Sequence, residues 1–194
     1  MNLQGRVINI LTKPKQEWPV FSAEATDVAT LYKEYIAPLA AIPAICGFLG
    51  MTIIGVSLPF VGTIRTSMGS GLTSLIMRYL LSLVGVYLAA FIIDKLAPNF
   101  QSTPGIVHAL KMVAYASTAS WVAGVLLFFP VLSPLAILAG LYGIYLFYLG
   151  LPVVMKTPPD KVIAYMVVSA VIIIVISLVI GAISAGFTAI PHVL

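Results

Sequence analysis

Between Met112 and Met155 the chain carries no charged residue. As one α-helix that run would extend about 66 Å, close to two hydrocarbon thicknesses of ~30 Å each. Pro130 and Pro134 fall near its middle, with Ser133 between them. Proline lacks an amide hydrogen and restrains the residue before it, so the pair predicts a tight re-entry turn. Two spans follow, at 112–129 and 134–155. A soluble core of this size would still alternate apolar and polar positions. This run does not. Only 8% of all residues are charged, against roughly a quarter in a soluble domain. So few charges cannot cover a water-facing surface, and a mean hydropathy of +1.11 agrees. The solvent of this chain is mostly lipid.

The other charge gaps complete the pattern. None lies between Ile36 and Ile64, which places a span at 36–58. Between Arg78 and Asp94 the uncharged stretch makes only about 22 Å of helix, too short to cross. That span therefore starts near Leu72, runs over 72–93 and takes Arg78 into or close to the membrane. The last gap opens at Val162 and predicts a span over 162–185, fraying near Gly186. The expected architecture is an all-α polytopic membrane bundle of about five transmembrane helices over 36–186. A short tail, 187–194, follows it.

Residues 1–35 read as a separate membrane-surface segment. Leu3, Val7, Ile10 and Leu11 recur at helical spacing opposite Asn2, Arg6, Asn9 and Lys13. That spacing predicts a short interfacial amphipathic helix ended by Pro14. Trp18, beside Pro19, suits the headgroup layer. Ser22 is placed to cap a second helix carrying Glu24 and Asp27 near its start. Charges precede any long apolar run, so no cleavable signal peptide is expected. Five spans put the termini on opposite sides. Lysine and arginine placement sets the direction, eight on the N-terminal side against Arg65 and Arg78 on the other. The N-terminus is expected in the cytoplasm.

Reactive chemistry is scarce in the spans. They hold no Asp, Glu, Lys or His at central depth, where a proton relay or ion path needs one. The two histidines, His108 and His192, lack a nucleophile partner, and Cys46 is the single cysteine. Metal ligands would have to cluster, and they do not. Neither an enzyme nor a cofactor site is expected, and the scattered basic residues do not suggest nucleic acid. Arg78 stands apart. It either snorkels to the headgroups or turns inward to hold an anionic headgroup, with Ser74 and Ser82 flanking it at four-residue spacing. Trp18 and Arg6 are further candidate contacts for lipid or a partner. Small residues at Ser120 and Gly124, Gly140 and Gly143, and Ser177 and Gly181 mark close helix packing. Ala116 extends the first of these stripes and Ala185 the last.

Four stretches carry a resemblance. They are RVINILTKPKQEWPVFSAEAT, YIAPLAAIPAICGFLG, FFPVLSPL and GLYGIYLFYLGLPVVMKTPPDKVIAY. In order along most of the chain they resemble the YIP family, five-span membrane proteins named for Ypt/Rab GTPase interaction, and its bacterial members in particular. The resemblance implies an integral protein of the bacterial inner membrane, without known catalysis, acting through membrane lipids, a partner protein or self-association. Only about 35 residues precede the first span, so GTPase binding is not carried over from the eukaryotic relatives. The expected function is a non-enzymatic scaffold or a partner- or lipid-interacting protein. Its alternatives are a small transporter or lipid-translocating protein, or an accessory subunit of a larger complex.

Overall fold

The computed structural model describes residues 2–58 and 62–189, without the side chains of Leu58 and residues 184–189. Among the described residues seven helices make an all-α bundle, and five of them are long and apolar enough to cross a membrane. Helix α1 (Leu3–Thr12) starts at Asn2, whose side chain accepts from the Gly5 amide at 2.8 Å. Pro14 opens α2 (Pro14–Ala23), where its missing N–H costs nothing. The spans are α3 (Val28–Ile54), α4 (Met68–Leu96), α5 (Ile106–Ala123), α6 (Leu135–Val154) and α7 (Pro159–Ala189). Short 3₁₀ turns extend α4 to Phe100 and α5 to Phe128, and a further one covers Pro130–Leu132. The expected re-entry therefore falls at the proline pair.

Several boundaries differ from the sequence reading. Asp27 caps α3 by accepting from the Thr30 amide at 2.7 Å, a bond that holds its carboxyl below the usual value. Residues 28–35 are thus the first turns of the span. Ser22 caps nothing; it lies inside α2 and donates to the Val153 carbonyl at 3.2 Å. At its other end α3 stops at Ile54, because Gly55 adopts φ 78°, where a side chain would meet the Ile64 carbonyl. Val56–Leu58 then pairs antiparallel with Gly62–Ile64, a hairpin where helix was expected to continue to Leu58. Helix α5 begins at Ile106, ahead of the expected 112, so His108 and Lys111 are within it. Helix α7 continues through Gly186 to Ala189, and residues 190–194 of the expected tail, His192 included, lie outside the described residues.

Helix α5 is the centre of the bundle, with α1, α3, α4 and α6 against it, while α7 packs on α4 and α6. Inside the protein, 61% of the apolar window of α5 is buried, against 6% for α7. Such an apolar exterior is stable only in lipid. Backbone approaches fix the packing, since lipid offers no hydrophobic drive between helices. A Cβ on Gly124 would stand 2.6 Å from Pro43 Cβ, and one on Gly143 would stand 2.8 Å from the Ala116 carbonyl near Ser120. Gly140 and Gly181 correct the packing expectation. Among the described residues a Cβ at either meets nothing within 4 Å. Ser177 is exposed and donates to the Ile173 carbonyl of its own helix at 2.8 Å, so its hydroxyl joins no other helix. The side chain of Ala185 is outside the described residues.

These glycines make a paired prediction. A Cβ on Gly50 collides with the Leu127 and Phe128 carbonyls, which are backbone and cannot swing away. Gly50→Ala should therefore destabilise the detergent-solubilised protein by about 1–3 kcal/mol. Gly140→Ala has open space and better helix propensity, so its melting temperature should hold or rise. Thermal unfolding of both variants checks the pair.

Candidate functional site

Helices α1 and α2 pack together as an N-terminal helical hairpin, which a polar cluster bolts to the bundle. Lys111 of α5, 3% exposed, donates from Nζ to the Phe21 carbonyl at 2.7 Å and to the Glu24 carbonyl at 2.6 Å. These carbonyls end α2, where unpaired acceptors and the helix dipole favour a cation. One turn on, Tyr115 stacks flat on Phe21, with centroids 3.7 Å apart. Its hydroxyl accepts from Arg6 Nη1 at 3.1 Å, and Arg6 Nη2 forms an ion pair with Glu24 Oε1. Tyr35 of α3 packs edge-on against Tyr115, and its hydroxyl shares a 2.7 Å hydrogen bond with Thr118. Arg6, Glu24, Lys111, Tyr115 and Tyr35 thus join α1, the end of α2, α5 and α3.

Beneath this clasp lies a cavity of about 350 Å³ lined by Asn2, Arg6, Glu24, Thr30, Glu34 and Tyr35. Glu17 is buried close by, and among the described residues its Oε1 has no hydrogen-bond partner, nor has the Nε1 of Trp18. The arrangement suits recognition of a polar group: it offers a cation, carboxylates and hydroxyls on fixed backbones. Among the described residues no three of His, Cys, Asp and Glu gather as metal ligands.

Trp18 does not reach the headgroups. It is fully buried, edge-on to Phe21 and Tyr115, and lies against Gly150 of α6, where a Cβ would come within 2.7 Å of Trp18 Cζ2. Arg6, expected as a contact for lipid or a partner, instead directs its guanidinium to Tyr115 and Glu24 of the chain itself. Hydrogen-bonding to Glu24 raises the Arg6 pKa, and the same bond lowers that of Glu24.

Arg78 lies at the opposite end, exposed, with no ion pair or hydrogen bond among the described residues. It lines a groove of about 440 Å³ between α3, α4 and the Pro130–Ser133 turn, together with Ser74. Ser82 is not part of it, and its hydroxyl donates to the Tyr79 carbonyl at 2.7 Å.

The model of the Yip1 domain matches residues 8–181, nearly the whole of this arrangement. The chain belongs to the Yip1 domain family. Among curated proteins it is similar to "Inner membrane protein YohC" of Escherichia coli K12, with 28% identity over 151 residues covering 76% of this chain and 77% of the relative. The protein of the same name from Escherichia coli O6:H1 matches to the same extent. No solved structure matches. The Yip1 match begins at Ile8, inside α1, so the domain includes the hairpin as well as the spans. Motif stretches distant in sequence meet in this Yip1 domain: Trp18 lies on Gly150, and Gly50 on the Phe128 carbonyl.

Lys111, Tyr115 and Tyr35 are the residues that sequence reasoning missed. A signal was present: Lys111 and Tyr115 are four apart on one helix face, and Lys111 is the one Lys, Arg, Asp or Glu of that helix.

Two outcomes follow. Lys111→Met keeps the stem but leaves two buried carbonyls without their donor, at about 1–3 kcal/mol each. Trypsin should then cut after Lys15 at least about tenfold faster than in the wild type. The ion pair sets the pH response. Glu24, with its pKa lowered, contributes above its ordinary value of 4.5 and loses that contribution as pH falls through the lowered value. Arg6, with its pKa raised, stays charged and its contribution is not lost in the working range. Tryptophan emission should stay unchanged from about pH 5 to 9 and move red only in stronger acid. Glu24→Gln should remove that acid step.

Proposed function

We propose that the chain is a non-enzymatic scaffold of the bacterial inner membrane that presents its N-terminal end, in the cytoplasm, to a partner protein. The observation that carries this reading is the clasped hairpin, which holds a polar cavity rigid at one end of the bundle. All six carboxylates and eight of the ten cations belong to that end. The positive-inside rule puts such an end in the cytoplasm. The inner membrane is taken from the printed name of the relatives. Pre-organised polar groups favour binding because little side-chain freedom is left to lose. Lipid translocation is a second reading, and it has the Arg78 groove in its favour.

Single cysteines in a Cys46→Ser background test the orientation. A membrane-impermeant maleimide should label Ser133→Cys in intact cells and Ala25→Cys only after lysis. The reverse pattern would overturn the orientation. A photo-crosslinking residue at Thr26, on the cavity rim, should give one discrete protein adduct in cells. Loss of that adduct with Arg6→Ala would tie it to the clasp, whereas no protein adduct at all would count against the scaffold. Lipid scrambling in reconstituted liposomes would favour the second reading.

A further inference from the structure

We infer that the Arg78 groove seats the phosphate of an anionic phospholipid, in the leaflet opposite the N-terminal hairpin. Depth is the first argument. Asp94 and Lys95 mark where α4 leaves the membrane at the hairpin end. Counting back about 30 Å of hydrocarbon at ~1.5 Å per residue reaches Ser74. Arg78 is therefore about 6 Å, roughly one turn, below the boundary. A side chain on a helix leans toward the helix N-terminus, so the guanidinium can extend to that boundary and meet the lipid phosphates there.

Charge is the second. Among the described residues no counter-ion meets Arg78. All six Asp and Glu side chains belong to the hairpin end, and the one on its own helix, Asp94, is about 24 Å away along the axis. A cation at this depth is costly unless an anion meets it. Phosphate suits a guanidinium best, since its oxygens accept two parallel N–H bonds.

Shape is the third. Snorkelling alone needs no recess, yet a recess of about 440 Å³ is built beside the guanidinium. Pro43, Gly47, Phe48 and Leu127 give it apolar walls, and Ser133 supplies a hydroxyl at the rim, while that of Ser74 donates to the Ser70 carbonyl at 2.8 Å. A Cβ on Gly47 would meet only Leu127 Cδ1, at 3.9 Å, so the floor there is open. The volume suits a glycerophosphate group and the first carbons of one acyl chain. This inference goes beyond the scaffold reading. It needs only that the chain spans a membrane, so a failed partner search or a reversed orientation would leave it standing.

The test uses full-length protein reconstituted with equal phosphatidylglycerol and phosphatidylcholine, then released and examined for retained lipid by native mass spectrometry. Wild type should retain phosphatidylglycerol about tenfold over phosphatidylcholine, and Arg78→Gln should abolish the preference. Gly47→Leu keeps the arginine but fills the recess, and it should abolish the preference too. Ser133→Phe, on the exposed turn, closes the rim and serves if Gly47→Leu fails to fold. Equal retention of both lipids by wild type would overturn the inference. So would an unchanged preference in Arg78→Gln, or in whichever recess-filling variant folds. Inorganic phosphate that raised the melting temperature as much as phosphatidylglycerol would assign the site to a soluble anion and equally overturn it.

Discussion

A lysine buried at the start of the central helix holds the N-terminal hairpin in place. The ammonium of Lys111 leaves water and takes two carbonyls at the end of α2 as its solvent. A buried charge is tolerable only when hydrogen bonds replace its hydration. The reverse holds as well, because the carbonyls at a helix end need a donor once they are buried. Each side therefore requires the other. With α2 fixed, Phe21 stacks on Tyr115, Trp18 fills the space against Gly150, and Arg6 reaches Glu24 over the cavity.

The spans obey a different rule. Around them lipid is as apolar as the side chains, so burial by itself selects no neighbour. Close backbone approach does. Gly124 on Pro43 and Gly143 on Ala116 set where α5 meets α3 and α6. Helix α7 presents Ile163, Val167, Val171, Ile174 and Leu178 outward, which water would not permit. The two ends of the bundle also differ in kind. One carries all six Asp and Glu side chains and a folded polar cap; the other carries Arg65, Arg78 and a small β-hairpin.

Charge spacing made the spans legible, because a helix without charge over a full bilayer thickness can hide its sides only in lipid. Pro130 and Pro134 marked the re-entry through the amides they lack. The limits of α3 were not legible. Its first turns hold Lys33 and Glu34, which read as surface, and its end depends on a left-handed Gly55 facing residues nine and ten positions on. Trp18 misled for a physical reason: an indole suits both headgroups and a protein core, and only the tertiary partner decides. Small-residue stripes show the same gap, since Gly140 resembles Gly143 in sequence but faces open space. For the site, Arg78 stood out because nothing near it in sequence neutralises it. Lys111 did not, because its partners are backbone carbonyls about ninety residues away, and carbonyls leave no trace in composition.

The central claim is that the hairpin is part of the packed bundle and not a loose surface anchor. Hydrogen exchange of the wild-type protein in lipid nanodiscs tests it most directly. Amides within 5–12 and 17–23 should exchange at least about a hundredfold more slowly than an unstructured peptide, as packed helices do. Exchange of those amides at the unstructured rate, with α5 and α6 still protected, would contradict it.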